Sequence, residues 1–369
     1  MSQGTAPETP DPGKSDRPDQ KEVPQNPIVM EIGQAGSHDE NAVKVGLWGP
    51  QESGKTTFLA ALPIAVSDGK ARNGSWLIYP HGKPSWELLE RFEKVLVEDR
   101  RFPQASAAEA AELKWLFVGD LAGSRFDRRM LRRILRRGEL ESRFVLDLID
   151  VPGVAYRRDP GQPAANSQVA SAALDHLAEA QGIIYLFDPI GEKDNRNSAA
   201  YVRGTVNELL LRAAANGPRP GRYLPHQVSV CITKFDHHEM FHQARRMNLV
   251  SYGDDGMPRV RDEDAEQFFD ELCTGKFWST RYDRGQESAQ FVRDKIRQVF
   301  RPDHIRYFVT SSIGFWMEPP VDGEASAWFN LDDFANFNER DGELIIRDKV
   351  RPINVIEPLI SLQQRIARS

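Results

Sequence analysis

Apolar residues fall along this chain in two rhythms, and each predicts one kind of element. Near-continuous runs of strand length stand at 43–47, 74–80, 113–118, 144–149, 182–188, 228–233 and 306–310. Runs without strict alternation belong to strands covered on both faces. Between them apolar residues recur at helical spacing, as at Trp86, Leu88, Leu89, Phe92 and Leu96 within 84–100. Similar spacing predicts helices over 57–62 and 201–215, one from the acidic run at Asp262 through Phe268, Phe269 and Leu272, and a closing amphipathic helix over 355–367. A further helix is predicted over 107–112, and no internal repeat is visible. Strands alternating with helices predict an α/β fold, with a mixed, mostly parallel sheet and helices on both faces.

The length of 369 residues admits two domains or one enlarged domain. The pattern favours one domain over 41–369, with insertions near 66–105, 120–142 and 237–303. The leader 1–40 is rich in Pro, Asp, Glu, Gln, Ser and Gly. It has too little apolar surface to offset the entropy of ordering, which predicts a disordered tail. That leader also lacks the apolar core of a signal peptide, and no run reaches the length of a membrane span, so a cytoplasmic protein is expected. A net charge of −6 argues against a globally basic nucleic-acid binder. Cys231 and Cys273 make no disulfide framework, and Cys231 lies within an apolar run as a small core residue.

Chemistry enters where the first strand ends. It runs into Gly49-Pro50-Gln51-Glu52-Ser53-Gly54-Lys55-Thr56, a G-x-x-x-x-G-K-[ST] phosphate loop, and Thr57-Phe58-Leu59 opens the helix behind it. A glycine-rich turn feeding a helix amino terminus aims backbone N–H groups and the positive end of the helix dipole at a polyphosphate. Candidate nucleotide contacts are therefore Gly49, Glu52, Ser53, Gly54, Lys55, Thr56 and Thr57. Lys55 would reach the β and γ phosphates, and the Thr56 hydroxyl would meet Mg²⁺.

Three later segments extend this site. Asp150 ends an apolar strand, where a carboxylate can organise the water shell of the metal opposite Thr56. Gly153, in Asp150-Val151-Pro152-Gly153, could donate its N–H to the γ phosphate, a hydrogen bond that the triphosphate offers and the diphosphate does not. Thr233-Lys234-Phe235-Asp236 closes another strand. A carboxylate there takes two hydrogen bonds from the N1–H and exocyclic amine of guanine, a pattern that adenine does not offer. The Lys234 stem would pack over the purine, and Ser311 and Ser312 would bring a backbone donor to guanine O6. Taken singly each segment is a weak motif, but the four stand in the order a GTP site requires.

In that order they resemble the translation-factor-related superclass of phosphate-loop GTPases, which includes Ras-like, Gα and dynamin-like proteins, from residue 43 to the carboxyl terminus. The resemblance implies GTP and GDP as ligands, Mg²⁺ as cofactor, and a switch read by an effector or regulatory protein. Glu52-Ser53-Gly54-Lys55 resembles Gα subunits, and Thr233 in place of Asn resembles dynamin-like proteins. The spacing of 94 residues from Thr56 to Asp150, with Trp76 and Phe102-Pro103-Gln104-Ala105-Ser106 between, is similar to the double-GTPase proteins of actinobacterial multigene conflict systems. Family members place a metal-binding Thr in the first switch. Ser106 stands in that neighbourhood, either as that catalytic and metal residue or as the cap of helix 107–112. Many small GTPases carry a water-orienting Gln after the D-x-x-G glycine. Val154 stands there, which implies slow hydrolysis or help from elsewhere. The alternatives are a nucleotide-binding scaffold that does not hydrolyse, and an ATPase, which Asp236 opposes.

Two weaker signals remain. From Arg125 to Arg137 the chain carries seven arginines with Phe126, Met130 and Ile134 at helical spacing, either a solvated face packed on the sheet or a basic face for nucleic acid, an acidic partner or a membrane surface, with the acidic net charge weighing against nucleic acid. His237, His238 and His242 follow Asp236 without a third matched ligand, which argues for a polar helix over a metal site.

Overall fold

The computed structural model describes Met1 and residues 43–67, 76–104, 111–120, 141–150, 164–195, 198–215, 221–275, 277–278, 284–320 and 327–368, with the backbone alone at 111–113, 120, 141–150 and 164–169. Ser106, Gly153, the segment from Arg125 to Arg137 and the leader beyond Met1 lie outside the described residues.

The first apolar run forms β1 (Val43–Trp48) and leads through the phosphate-loop segment into α1 (Lys55–Ser67). Then follow β2 (Trp76–Pro80), α2 (Gly82–Glu93) with a π-helical turn to Glu98, β3 (Ala111–Asp120) and β4 (Glu141–Asp150). Next come α3 (Ala164–Glu179), β5 (Gly182–Phe187), α4 (Pro189–Asn195), α5 (Ser198–Ala215) and β6 (Gln227–Ile232). The stretch beyond β6 holds α6 (His238–Arg246), a small hairpin of β7 (Val250–Tyr252) and β8 (Pro258–Val260), α7 (Asp262–Thr274) and α8 (Arg284–Val299). The chain closes with β9 (Ile305–Val309), the hairpin β10 (Phe337–Arg340) and β11 (Glu343–Ile346), and α9 (Glu357–Ile366).

Seven strands form one sheet in the order β2-β3-β4-β1-β5-β6-β9. The run from β4 to β9 is parallel, and β2 and β3 are antiparallel to their neighbours. The fold is thus α/β, with a mixed, mostly parallel sheet. Alternation along the central strands builds two cores. Ile183, Tyr185 and Phe187 of β5, with Val228, Val230 and Ile232 of β6, pack on one face against α3, α5, α7 and α8. Ile184, Leu186 and Cys231 pack on the other face against α1 and α9. Burial on both faces is why these strands read as continuous apolar runs.

Several expectations are corrected. Ala111 and Glu112, assigned to a helix capped at Ser106, lie in β3 and pair with Asp150 and Ile149. The gain of a ten-residue antiparallel ladder with β4 outweighs the local helix preference of an Ala- and Glu-rich stretch. The helix expected behind the phosphate loop from Thr57 to Leu62 is present and continues through Pro63 to Ser67. The closing helix does not start at 355 but at Glu357, and the hairpin β10–β11 stands between β9 and that helix, unanticipated.

Candidate functional site

Parallel strands end on the same edge of a sheet, and that edge is where the candidate residues meet. Trp48, the last residue of β1, pairs with Tyr185 of β5, while Phe187 of β5 pairs with Ile232 of β6 and Ile232 with Val309 of β9. The phosphate loop, Asp188, Thr233 to Asp236 and Thr310 to Gly314 therefore follow the carboxyl ends of four adjacent strands. Asp150 ends β4, the other parallel neighbour of β1.

The phosphate loop is shaped by close packing. A Cβ on Gly49 would stand 2.6 Å from Ser53 Oγ and 3.0 Å from the Leu186 carbonyl, so only glycine fits there. Glu52 and Gly54 turn through positive φ, 65° and 91°, which bends the chain into the first turn of α1. Ser53 is buried, and its hydroxyl has no hydrogen-bond partner among the described residues. The Lys55 ammonium lies inside the loop, donating to the Gly49 carbonyl at 2.8 Å and the Pro50 carbonyl at 2.7 Å. A loop that gathers a lysine, an idle hydroxyl and a helix amino terminus has the donor chemistry of an anion site. Thr56 and Thr57 sit half-buried in the first turn of α1.

Around Asp236 the geometry is tighter. Thr233 donates its N–H and its hydroxyl to the Phe187 carbonyl, at 2.9 and 3.1 Å. Lys234 takes a positive φ of 59°, an uncommon conformation for a side-chain-bearing residue that clusters at functional sites. Phe235 turns inward onto Phe315 and Phe241, with ring centroids 5.5 and 6.3 Å away, and its N–H meets the Thr310 carbonyl at 3.1 Å. Asp236 is buried and accepts the Ser311 hydroxyl at 2.5 Å, and Ser311 Oγ in turn accepts the Gly314 N–H at 2.8 Å. The two loops named from sequence thus touch through the Phe235–Thr310 backbone bond and through one carboxylate and one hydroxyl. Ser312 lies half-buried in the turn beyond.

Burial pushes the Asp236 carboxyl up to about 6, against the opposing pull of the Ser311 hydrogen bond, the backbone and the Lys234 charge. A raised carboxyl binds its proton more tightly in the folded state, so the stability this group contributes is complete below its ordinary value of 3.8 and is lost as pH rises through about 6. The guanine-reading role expected of Asp236 requires the carboxylate form, and on that expectation affinity for guanine nucleotides falls as pH drops through about 6. Titrating affinity from about pH 7.5 to about pH 5 checks this, with a flat profile as the contrary outcome.

Gly314 explains how the second loop is held. It has φ of 69°, and a Cβ there would lie 2.0 Å from the Arg351 carbonyl. Both the conformation and the space exclude a side chain, because backbone, unlike a flexible side-chain tip, does not yield cheaply. Gly314→Ala is expected to cost roughly 2–4 kcal/mol of stability, read as a lower urea midpoint at an unchanged slope.

Other residues join this edge without having been singled out. Asp188 ends the apolar run of β5, is buried, and pairs with the Lys234 ammonium at 2.5 Å. Its Oδ1 accepts the N–H groups of Ile190 and Gly191, which caps α4. The Tyr201 hydroxyl, from α5, accepts the Gly49 N–H at 3.2 Å. Glu192 is buried, accepts the Ser198 N–H at 3.1 Å, and burial raises its pKa. The position of Asp188, level in the sequence pattern with Thr233 at the end of a neighbouring strand, could have marked it. The pairing of Tyr201 with Gly49, 152 residues away, leaves no local signal.

Of the three histidines, His237 accepts the Glu239 N–H on its ring nitrogen at 3.3 Å and caps α6. Desolvation holds its pKa below the ordinary value, which keeps the neutral ring that an acceptor needs. His238 and His242 meet edge to face, and both pack on Phe334. No group of three or more metal-ligating side chains occurs among the described residues. None of the described helices is long and apolar enough to cross a membrane.

No protein-family model and no curated protein matches this chain. Among solved structures it is similar to the signal recognition particle receptor SRβ–GTP/SRX complex from Chaetomium thermophilum, at 14 % identity over 74 % of this chain and 92 % of that one, with a TM-score of 0.32. It is also similar to sup35 complexed with GDP, at 11 % identity over 79 % of this chain and 42 % of that one, with a TM-score of 0.28. The strand order and registers given above define the fold of this chain; a shared fold does not assign a function.

Proposed function

We propose that this chain is a GTP-binding switch of the translation-factor-related class that hydrolyses GTP slowly and signals its nucleotide state to a partner protein. The observation that carries the reading is the meeting of a phosphate loop and the Asp236–Ser311 pair on one edge of the sheet. Lys55, Gly54 and the amino terminus of α1 would hold the phosphates. Asp236 would read the guanine N1–H and amine, Ser311 would orient that carboxylate, and Lys234 would cover the purine. Thr56 and Asp150, with Ser106 in the first switch, would hold Mg²⁺, which offsets phosphate charge when bound. The Lys55 donors now spent on loop carbonyls are the ones a triphosphate would recruit.

Gly153 would sense the γ phosphate, and release of that hydrogen bond would change the surface an effector reads. With Val154 in place of the water-orienting Gln, intrinsic turnover would fall below the roughly 10⁻⁴ to 10⁻² per second of GTPases that carry that Gln. The arginines from Arg125 to Arg137 are proposed as the surface for an acidic partner, the leader 1–40 as a disordered tail, and the protein as cytoplasmic. The finer likeness to double-GTPase conflict-system proteins belongs to the same reading. Single-turnover phosphate release from GTP, with Mg²⁺ and with EDTA, tests it. Slow release that stops in EDTA supports the switch. Tight GTP binding without release would replace it by a non-hydrolysing scaffold, and faster release from ATP would contradict the base assignment.

A further inference from the structure

The short helix α4, with Asp188 at its amino end, touches both nucleotide loops. At its amino end Asp188 uses one carboxylate oxygen to accept two N–H groups of the helix and the other to meet the Lys234 ammonium. At its carboxyl end the Asn195 amide donates to Glu52 of the phosphate loop at 3.2 Å. Lys193 reaches Glu239, just beyond the base loop, and lies over the Phe277 ring at 3.9 Å. Glu192 ties the same helix to the first turn of α5, and α5 supplies the Tyr201 hydroxyl to Gly49. Phosphate loop and base loop thus share one brace.

We infer that Asp188 is a positioning residue for nucleotide recognition, acting through Lys234 to hold the base loop at a set distance from the phosphate loop. The inference rests on the proposed GTP site and names a part of it that no motif contains. Burial decides which partner of the pair is fixed. Asp188 is nearly inaccessible, with its side chain 4 % exposed, whereas Lys234 is 37 % exposed. The carboxylate is therefore anchored and the lysine is the mobile partner. A lysine has several rotatable bonds and a substantial entropy to lose. An anchored carboxylate restricts its ammonium to one place, which leaves the stem poised over the position the purine would take. The positive φ of Lys234 points the same way, since a strained backbone persists only where its surroundings over-determine it.

A double-mutant cycle on guanine-nucleotide affinity tests this in the full chain, with Asp188→Asn, Lys234→Met and the double variant, and Asp236→Asn as a control. The wild type binding GTP and Asp236→Asn failing to bind it would establish the site independently of Asp188. In that setting Asp188→Asn is expected to weaken GTP roughly tenfold. The double variant should bind no worse than Lys234→Met alone, because both changes break one interaction. A thermal melt accompanies each variant. Additive effects, or a weakening in Asp188→Asn that follows only its drop in melting temperature, would overturn the inference and leave Asp188 as a helix cap. Unchanged affinity in Asp188→Asn would overturn it as well. If the wild type fails to bind GTP, the underlying site falls, and the inference falls with it.

Discussion

Asp236→Asn is expected to weaken GTP binding by roughly a hundredfold or more and to raise affinity for xanthosine triphosphate. In the proposed site the carboxylate would accept two donors from guanine. An amide in its place presents an N–H to the guanine amine and leaves buried donors facing each other, which costs far more than breaking a hydrogen bond on the surface. Xanthine carries a carbonyl where guanine has the amine, so the same amide regains a partner. The Ser311 hydroxyl, now donating to Asp236 Oδ1, can donate equally to the amide oxygen, so the loop should keep its shape. Competition of both nucleotides against a fluorescent GTP analogue measures the exchange. Equal weakening of both would mean that the change had damaged the loop, and unchanged GTP binding would remove Asp236 from base recognition.

Lys55→Met should have the second large effect. The ammonium is buried and donates to the Gly49 and Pro50 carbonyls at 2.8 and 2.7 Å, so it also ties the loop to the first turn of α1. Removing it would take away the proposed charge-assisted interaction with the phosphates and leave those carbonyls without that donor. A fall of at least about a hundredfold in GTP affinity, about 2.7 kcal/mol, is expected, with GDP weakened less because its complex has no γ phosphate for the lysine to meet. Filter binding of both nucleotides distinguishes these outcomes. Equal weakening of GTP and GDP would place the lysine away from the γ phosphate.

What the sequence reveals and what it hides divide along physical lines. The central strands are legible because burial on both faces writes them as apolar runs, and the phosphate loop is legible because its chemistry is local to eight residues. The hairpin β10–β11 is less visible because most of its residues are exposed or half-buried, as in Phe337-Asn338-Glu339-Arg340. Its one clear signal is Asp341-Gly342, where both residues take positive φ, 55° and 78°, the pairing that two-residue hairpin turns favour. The helix expected to end at Glu112 failed because a partner strand lay about 40 residues on, at Asp150, beyond any local window. The brace through α4 and Tyr201 is hidden for the same reason. It joins Asp188 at the end of β5 to Lys234 beyond β6, and Gly49 beyond β1 to Tyr201 on α5, and only the tertiary packing brings them together.

The aromatic cluster behind the base loop has a similar origin. Phe235 lies inside the recognition segment, yet its ring points away from the site onto Phe241 and Phe315, which pack in turn on Phe329 and Phe334. Edge-to-face rings lock one another in orientation, so this core sets the pose of Lys234 and Asp236 on either side of Phe235. The segment after β9 therefore has a structural role in the site as well as supplying Ser311.

The most direct test of the proposed guanine site is calorimetric titration of the wild-type chain with GTP, GDP and ATP in Mg²⁺ near neutral pH. A site built on Asp236 and Ser311 requires GTP and GDP to bind, with ATP weaker by roughly a hundredfold or more. Equal affinity for ATP and GTP, or heat from neither, would contradict the assignment of Asp236 and Ser311 to guanine.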